Sequence, residues 1–234
     1  MGQYFKPVII DEKGKVWAFD PYDYEGGGLK LTEHSWIGNP FVDAVTKAML
    51  ADRLDGDGRT INWNTDGTAW NAKRVAWIGD YADGYIDGIV ESGKPADFGH
   101  GYISDVQQAK TLCSKVWKYD DENPDNDIHV LIPGILPDVR IMDKHRTNWF
   151  LVNVSKNSFL DIKKYAEKSA DTDGWCLHPL PLLTCVGNGE GGGDYYGKPG
   201  QDAVGSWAFD KIILTSTRPD PATYIEETVI FKES

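Results

Sequence analysis

The sequence predicts a single α+β domain over residues 1–234, built on a mixed or antiparallel sheet with a few helices. Three observations carry that expectation. Short runs rich in β-branched and aromatic residues recur at both ends of the chain, glycine and proline punctuate them at hairpin spacing, and only two long segments show the 3.6-residue apolar period of a helix. With 234 residues, 41% hydrophobic and 12% aromatic, the chain carries enough apolar area for a full core.

YFKPVII (4–10) and VWAF (16–19) are joined by DEKGK, whose Gly14 can take the positive φ of a tight turn, and so predict a hairpin. After the loop DPYDYEGGGLK comes a helix capped by Asn39 with Pro40 at its first position. Its apolar stripe is Phe41, Val42, Val45, Met49 and Leu50, and it ends near Gly56. The polar, turn-rich stretch DGDGRTINWNTDGTAWNAK reads as a surface excursion before the strand RVAWIGD (74–80). Ser104 then caps a second helix with Val106, Ala109, Leu112, Cys113 and Val116 on one face, and DDENPDND follows as a solvated loop.

IHVLIPGIL and WFLVNV are strand-like. SKN between WFLVNV and SFLDI predicts a second hairpin before the short helix KKYAEKSA; the alternative is a capping box of Ser158 and Asp161 that starts the helix earlier. LLTCV reads as a strand leading into GNGEGGGDYYG (187–197). GSWAFDKIILTS and TYIEETVIFKE complete the strands, with Pro219 and Pro221 keeping TRPDPA out of the ladder.

Segments 4–80 and 149–210 echo each other in order, with 81–148 as a connection. Each has a hairpin closing on an Asp (Asp20, Asp161) with a Tyr shortly after, then a His (His34, His178) and a Gly-Asn pair (Gly38-Asn39, Gly187-Asn188). A Trp with an acid three places on closes each set, Trp77 with Asp80 and Trp207 with Asp210. The echo admits a divergent duplication related by a rough two-fold, with the glycine run standing in the second half where the first half starts its helix, against a fortuitous pairing of aromatic strands.

The pattern MGQYFK…EHSWIGN…WIGDYAD…HPLPLLT…GGGDYYG resembles a group of hypothetical proteins of bacteria and their phages. That resemblance spans most of the chain and implies a cytosolic or phage-encoded accessory protein; it carries no activity and no catalytic residue.

Charge bears on function. The net charge of −12 is spread evenly, with 12 basic and 17 acidic groups in residues 1–117 and 12 and 19 in 118–234, so phosphate backbones are repelled and direct nucleic-acid binding is disfavoured. Cys113, Cys176 and Cys185 are odd in number and form no CxxC, which fits free thiols in a reducing compartment, and no apolar run reaches the length of a membrane span. A cytoplasmic protein is expected.

Site chemistry is sparse. The glycine-rich run matches neither GxxxxGK[ST] nor a GxGxxG that opens a helix, and Glu190 and Asp194 put negative charge where a phosphate would sit, so it reads as a flexible surface loop or a lid over a site. Asp80, Asp83 and Asp87 with Glu33 and His34 would supply divalent-cation ligands if they converged, against the simpler reading of aspartates that cap a turn. No GxSxG occurs, and the thiols around His178 lie in an apolar context. Trp63 and Trp70 stand in a polar stretch, either as a recognition surface or as anchors packed back on the domain.

These readings rank a non-enzymatic binding or accessory protein first. Its ligand surface would be Trp63, Trp70, Asn188, Glu190, Asp194 and Tyr195, its partner a small ligand or a host protein, with no cofactor and no membrane. The second reading is a metal-dependent hydrolase using Glu33, His34, Asp80 and Asp83, with His178 or Asp194 from the other half. The third is an acidic inhibitor of a nucleic-acid enzyme.

Overall fold

The computed structural model describes residues 2–10, 14, 16–50, 72–83, 106–117, 128–130, 148–187 and 194–232. Trp63, Trp70, Asp87, Ser104, Asn188 and Glu190 lie outside the described residues.

Its frame is a mixed, mostly antiparallel sheet of nine strands with four helices among the described residues, the α+β class that the strand and helix patterns predict. β1 (Phe5–Ile10) and β2 (Val16–Ala18) form the first hairpin, with Ile9 opposite Trp17 and Gly14 at φ 79° in the connection. β3 (Lys73–Gly79) pairs along the whole of β1, from Phe5–Gly79 to Ile10–Arg74. β4 (Ile128–Val130) lies parallel outside β2.

β5 (Phe150–Asn153) and β6 (Ser158–Asp161) form the second hairpin, turning through Asn157 at φ 51°, which Asn tolerates better than most side chains. β8 (Lys211–Thr215) joins the two hairpins, pairing antiparallel with β3 at Lys73–Ile212 and with β5 along its length. β7 (Cys185–Val186) lies parallel to β3, and β9 (Ile225–Glu226) lies parallel outside β6. The order is therefore β4-β2-β1-β3-β8-β5-β6-β9, with β7 on β3.

Alternation along the strands assigns the two faces. Ile9, Val75, Trp77, Leu151, Leu160, Ile212 and Leu214 share one buried cluster with Phe41 and Val45 of α1 (Pro40–Lys47), Ile162 and Tyr165 of α3 (Ile162–Ser169), and Leu180 and Leu183 of α4 (Pro179–Thr184). Val8, Ile10, Ala76 and Ile78 of the opposite face pack with Ala109, Leu112, Cys113 and Val116 of α2 (Val106–Trp117). None of the helices is long and apolar enough to cross a membrane, among the described residues.

Local chemistry explains the helix starts. Asn39 Oδ1 accepts from the N–H groups of Phe41 (2.8 Å) and Val42 (3.1 Å), with Pro40 at the first position, as expected. The helix stops at Lys47, short of the predicted Met49 and Leu50, because Met49 O accepts from Leu214 N–H (2.9 Å) and Leu50 bridges β8 in parallel. In the second half the hairpin and a cap coexist: Ser158 lies in β6, and Asp161 caps α3 by accepting from Lys164 N–H (3.2 Å).

Three strand expectations are corrected, and in the last of them, TYIEETVIFKE, only Ile225–Glu226 is strand among the described residues. LLTCV is helical up to Thr184 because His178 Nδ1 accepts from Leu180 N–H (3.2 Å), Pro179 sits at the first helical position and Thr184 Oγ1 donates to Leu180 O (2.7 Å). Only Cys185 and Val186 remain strand. GSWAFDKIILTS is strand only from Lys211; Phe209 turns the chain at φ 62°, with its N–H on Val75 O (2.8 Å) and its carbonyl accepting from the Arg74 guanidinium (2.8 Å). Asp210, beside it, is buried and accepts from Asn153 Nδ2 (2.7 Å), with Lys156 Nζ at 3.2 Å.

The chain beyond β9 runs back to the core. Phe231 is fully buried, with its ring 6.3 Å from Tyr165 and 5.3 Å from Tyr195, both edge-on, and Lys232 N–H donates to Tyr195 Oη (2.8 Å). Phe231→Ala is expected to cost about 3–5 kcal/mol, the usual loss for a truncated core aromatic. Ile225→Ala, on a side chain 72% exposed, should stay within about 0.5 kcal/mol. Urea unfolding midpoints of the two variants against the parent check this.

Candidate functional site

β3 and β7 run parallel, so both deliver their C-terminal ends to one place, Gly79–Asp80 beside Val186–Gly187. The N-terminal segment closes one side: Tyr4 N–H donates to Asp80 Oδ1 (3.0 Å) and Asp80 N–H donates to Tyr4 O (2.9 Å). Phe5 N–H donates to Leu29 O (2.6 Å), which draws in the loop carrying Lys30, Glu33 and His34.

Gln3 explains two glycines. Its side chain is buried, and a Cβ on Gly79 would stand 2.2 Å from Gln3 Nε2, while one on Gly187 would stand 2.7 Å from the same atom and 2.9 Å from Ala82 Cα. Gly187 also has φ 91°. The acidic turn and the first residue of the glycine-rich run, far apart in sequence, thus meet around one carboxamide.

The sequence candidates fall as follows. Glu33 is exposed and pairs with Lys30 Nζ at 2.7 Å, a surface contact of small worth. His34 is half-buried against Gly28, and its Nδ1 accepts from Lys30 N–H (3.3 Å). Asp80 is tied to Tyr4, and Asp83 lies exposed one turn on. No three His, Cys, Asp or Glu side chains gather as a metal-ion group among the described residues. Asp194 and Tyr195 are buried; the Tyr195 ring packs on Phe231 and its hydroxyl donates to Pro199 O, so this tyrosine anchors the far foot of the glycine-rich run.

His178 is a helix cap in a fully buried position, and burial pushes its pKa down to about 3, so the imidazole is neutral. Burial, helped by Asp171, lifts the Cys176 thiol to about 11; burial, helped by Asp83, lifts Cys113 to about 12. Cys113 and Cys176 are thus held as thiols rather than thiolates, and His178 as a neutral, weakly basic imidazole whose Nδ1 already accepts from Leu180 N–H.

Sequence reasoning missed the exposed tyrosines. Tyr4 is 42% and Tyr81 57% exposed, on either side of the backbone-anchored Asp80. Tyr81 lies inside WIGDYAD, and the signal was an aromatic residue just beyond the last buried position of a strand. Compared with family models, with curated proteins and with solved structures, the chain matches none.

Gly187→Ala is expected to cost about 2–4 kcal/mol, adding overlap with Gln3 to the left-handed strain. Gly197→Ala, at φ 67° with open space around it, should cost only about 1 kcal/mol. Thermal melts of the two variants separate the terms. For His178 the native pKa lies below the unfolded 6.5, so below that pH the unfolded chain takes up a proton that the native chain refuses until about 3. Its contribution to stability is complete above pH 6.5 and is lost as pH falls toward 3, at up to about 1.4 kcal/mol per pH unit. Urea titrations at pH 7, 5.5 and 4.5 should show a steeper acid loss for the parent than for His178→Asn.

Proposed function

We propose that the chain is a binding protein, with no catalytic chemistry of its own, whose recognition surface is the shared end of β1, β3 and β7. The observation that carries this reading is the pair of exposed tyrosines flanking Asp80, which hydrogen bonding to the Tyr4 backbone holds on the two longest strands of the sheet. Aromatic rings on a rigid support supply contact area at low entropic cost, and they bind cations through their faces. The neighbouring carboxylates and the net charge of −12 favour a partner that presents lysine or arginine. A basic face of a host protein is the partner class proposed, in a cytosolic accessory role that the buried thiols of Cys113, Cys176 and Cys185 support.

Among the described residues, Cys113 and Cys176 are buried thiols and His178 is a buried helix cap, roles that serve the core and add weight to this reading.

The test compares immobilised parent protein with Tyr4→Ser/Tyr81→Ser and with Tyr22→Ser, a control at a tyrosine 78% exposed elsewhere. The parent and the control should retain the same basic protein from a host lysate, and the double variant should lose it by at least about tenfold, the effect of removing one hot spot. Equal capture by all three would refute the assignment of this surface.

A further inference from the structure

The strand order reads the same from either end. β4-β2-β1-β3 and β9-β6-β5-β8 meet at the antiparallel β3–β8 pair, and each set holds a hairpin, a central strand and a parallel outer strand in one chain order. Each hairpin is closed by an equivalent backbone bond, Phe19 N–H to Pro7 O (3.1 Å) and Ile162 N–H to Trp149 O (3.0 Å). Each is followed by an Asp-capped helical turn, at Asp20 and Asp161.

The likeness continues through the capped helices. The segments preceding Asn39 and His178 pair with each other, antiparallel at Trp36–Leu177, with Ile37 N–H on Cys176 O (3.1 Å) and His178 N–H on Ser35 O (2.8 Å). Each cap precedes a proline-started helix in which a threonine hydroxyl donates four residues back, Thr46 to Val42 O (2.6 Å) and Thr184 to Leu180 O (2.7 Å). The chain leaving each helix then crosses to the other half. Leu50 bridges β8 in parallel, and Cys185–Val186 pair in parallel with β3.

We infer that each half carries a self-complementary face whose fitting partner is a second copy of the same kind of unit, a copy that this chain supplies from its own other half. Reciprocal crossing is the signature of an isologous two-fold interface, in which the same patch serves both partners. Asn39 therefore corresponds to His178 rather than to Asn188, and the second half keeps its helix. The outer ends have diverged in charge: Asp80 and Tyr81 follow β3, whereas Arg218 follows β8 and pairs with Glu226 at 2.6 Å. The inference rests on backbone pairing and is independent of the proposed recognition surface.

The test introduces a protease site within residues 131–147 of the full chain and cuts the folded protein once. The two pieces should remain a 1:1 complex by sedimentation. Separated in denaturant and refolded alone, the N-terminal piece should form a dimer that the C-terminal piece converts back to the 1:1 complex. An N-terminal piece that stays monomeric, folded or unfolded, or that only aggregates, overturns the self-complementary face. On the intact chain, His178→Asn should lower Tm less than His178→Ala, since Asn performs the same capping at position 39; equal losses overturn the equivalence of the two caps.

Discussion

The pairing of β3 with its neighbours is the constraint on which the rest of the structure depends. β3 is bordered by β1 from Arg74 to Gly79, by β8 at Lys73 and Arg74, and by β7 at Trp77 and Ile78, so it meets a ladder on both sides. Val75, Ala76, Trp77 and Ile78 are almost fully buried, two toward each face. Burying a side chain such as Val75 or Ile78 contributes about 1.5–3 kcal/mol, and among the described residues β3 is the strand that pairs with three others. The β8 contact is short and joins the two hairpins into one sheet.

Around that strand, buried polar groups set the chain's direction. Asn39 and His178 cap helices from positions with almost no solvent access, so each must satisfy helix N–H groups or leave them orphaned. Arg74, Asn153 and Lys156 hold the turn through Phe209 and Asp210, where a phenylalanine takes a left-handed backbone that costs on the order of 1 kcal/mol. Aromatic contacts then tie the loops to this frame. Phe19, Tyr24, Phe41 and Trp77 form a chain of rings 5.4–6.5 Å apart from the end of β2 to β3, and Tyr165, Phe231 and Tyr195 form another that holds the C-terminal segment.

The proposed recognition surface lies where those supports end. Asp80 is the first residue beyond β3, and its Oδ1 accepts from Tyr4 N–H. Local signals made part of this end legible: the acid run beside Trp77 and the glycine-rich run both drew attention in the sequence. Their meeting at Gln3 did not, because a glutamine near the N-terminus carries no local pattern, and the glycines that accommodate it are indistinguishable from turn glycines until the opposing atoms are known. Tyr195 is the reverse case. Its neighbours Gly197 and Asp194 look like loop, but its ring is buried by Phe231, which is distant in sequence.

What the sequence determined by itself is what short-range physics decides. Period-2 runs made the two hairpins, Gly14 supplied the turn of the first, and an Asn-Pro pair before a periodic stripe started α1. The tertiary structure decided the outcomes in which two local preferences were close in energy. Residues 182–184 of LLTCV, suited to either state, became helix because a buried histidine capped it and a proline opened it; Met49 and Leu50 left their helix because β8 offered their backbone a partner. The order of the strands also belongs to tertiary structure, because pairing partners are chosen by which apolar faces can be covered together, and no segment carries that information alone.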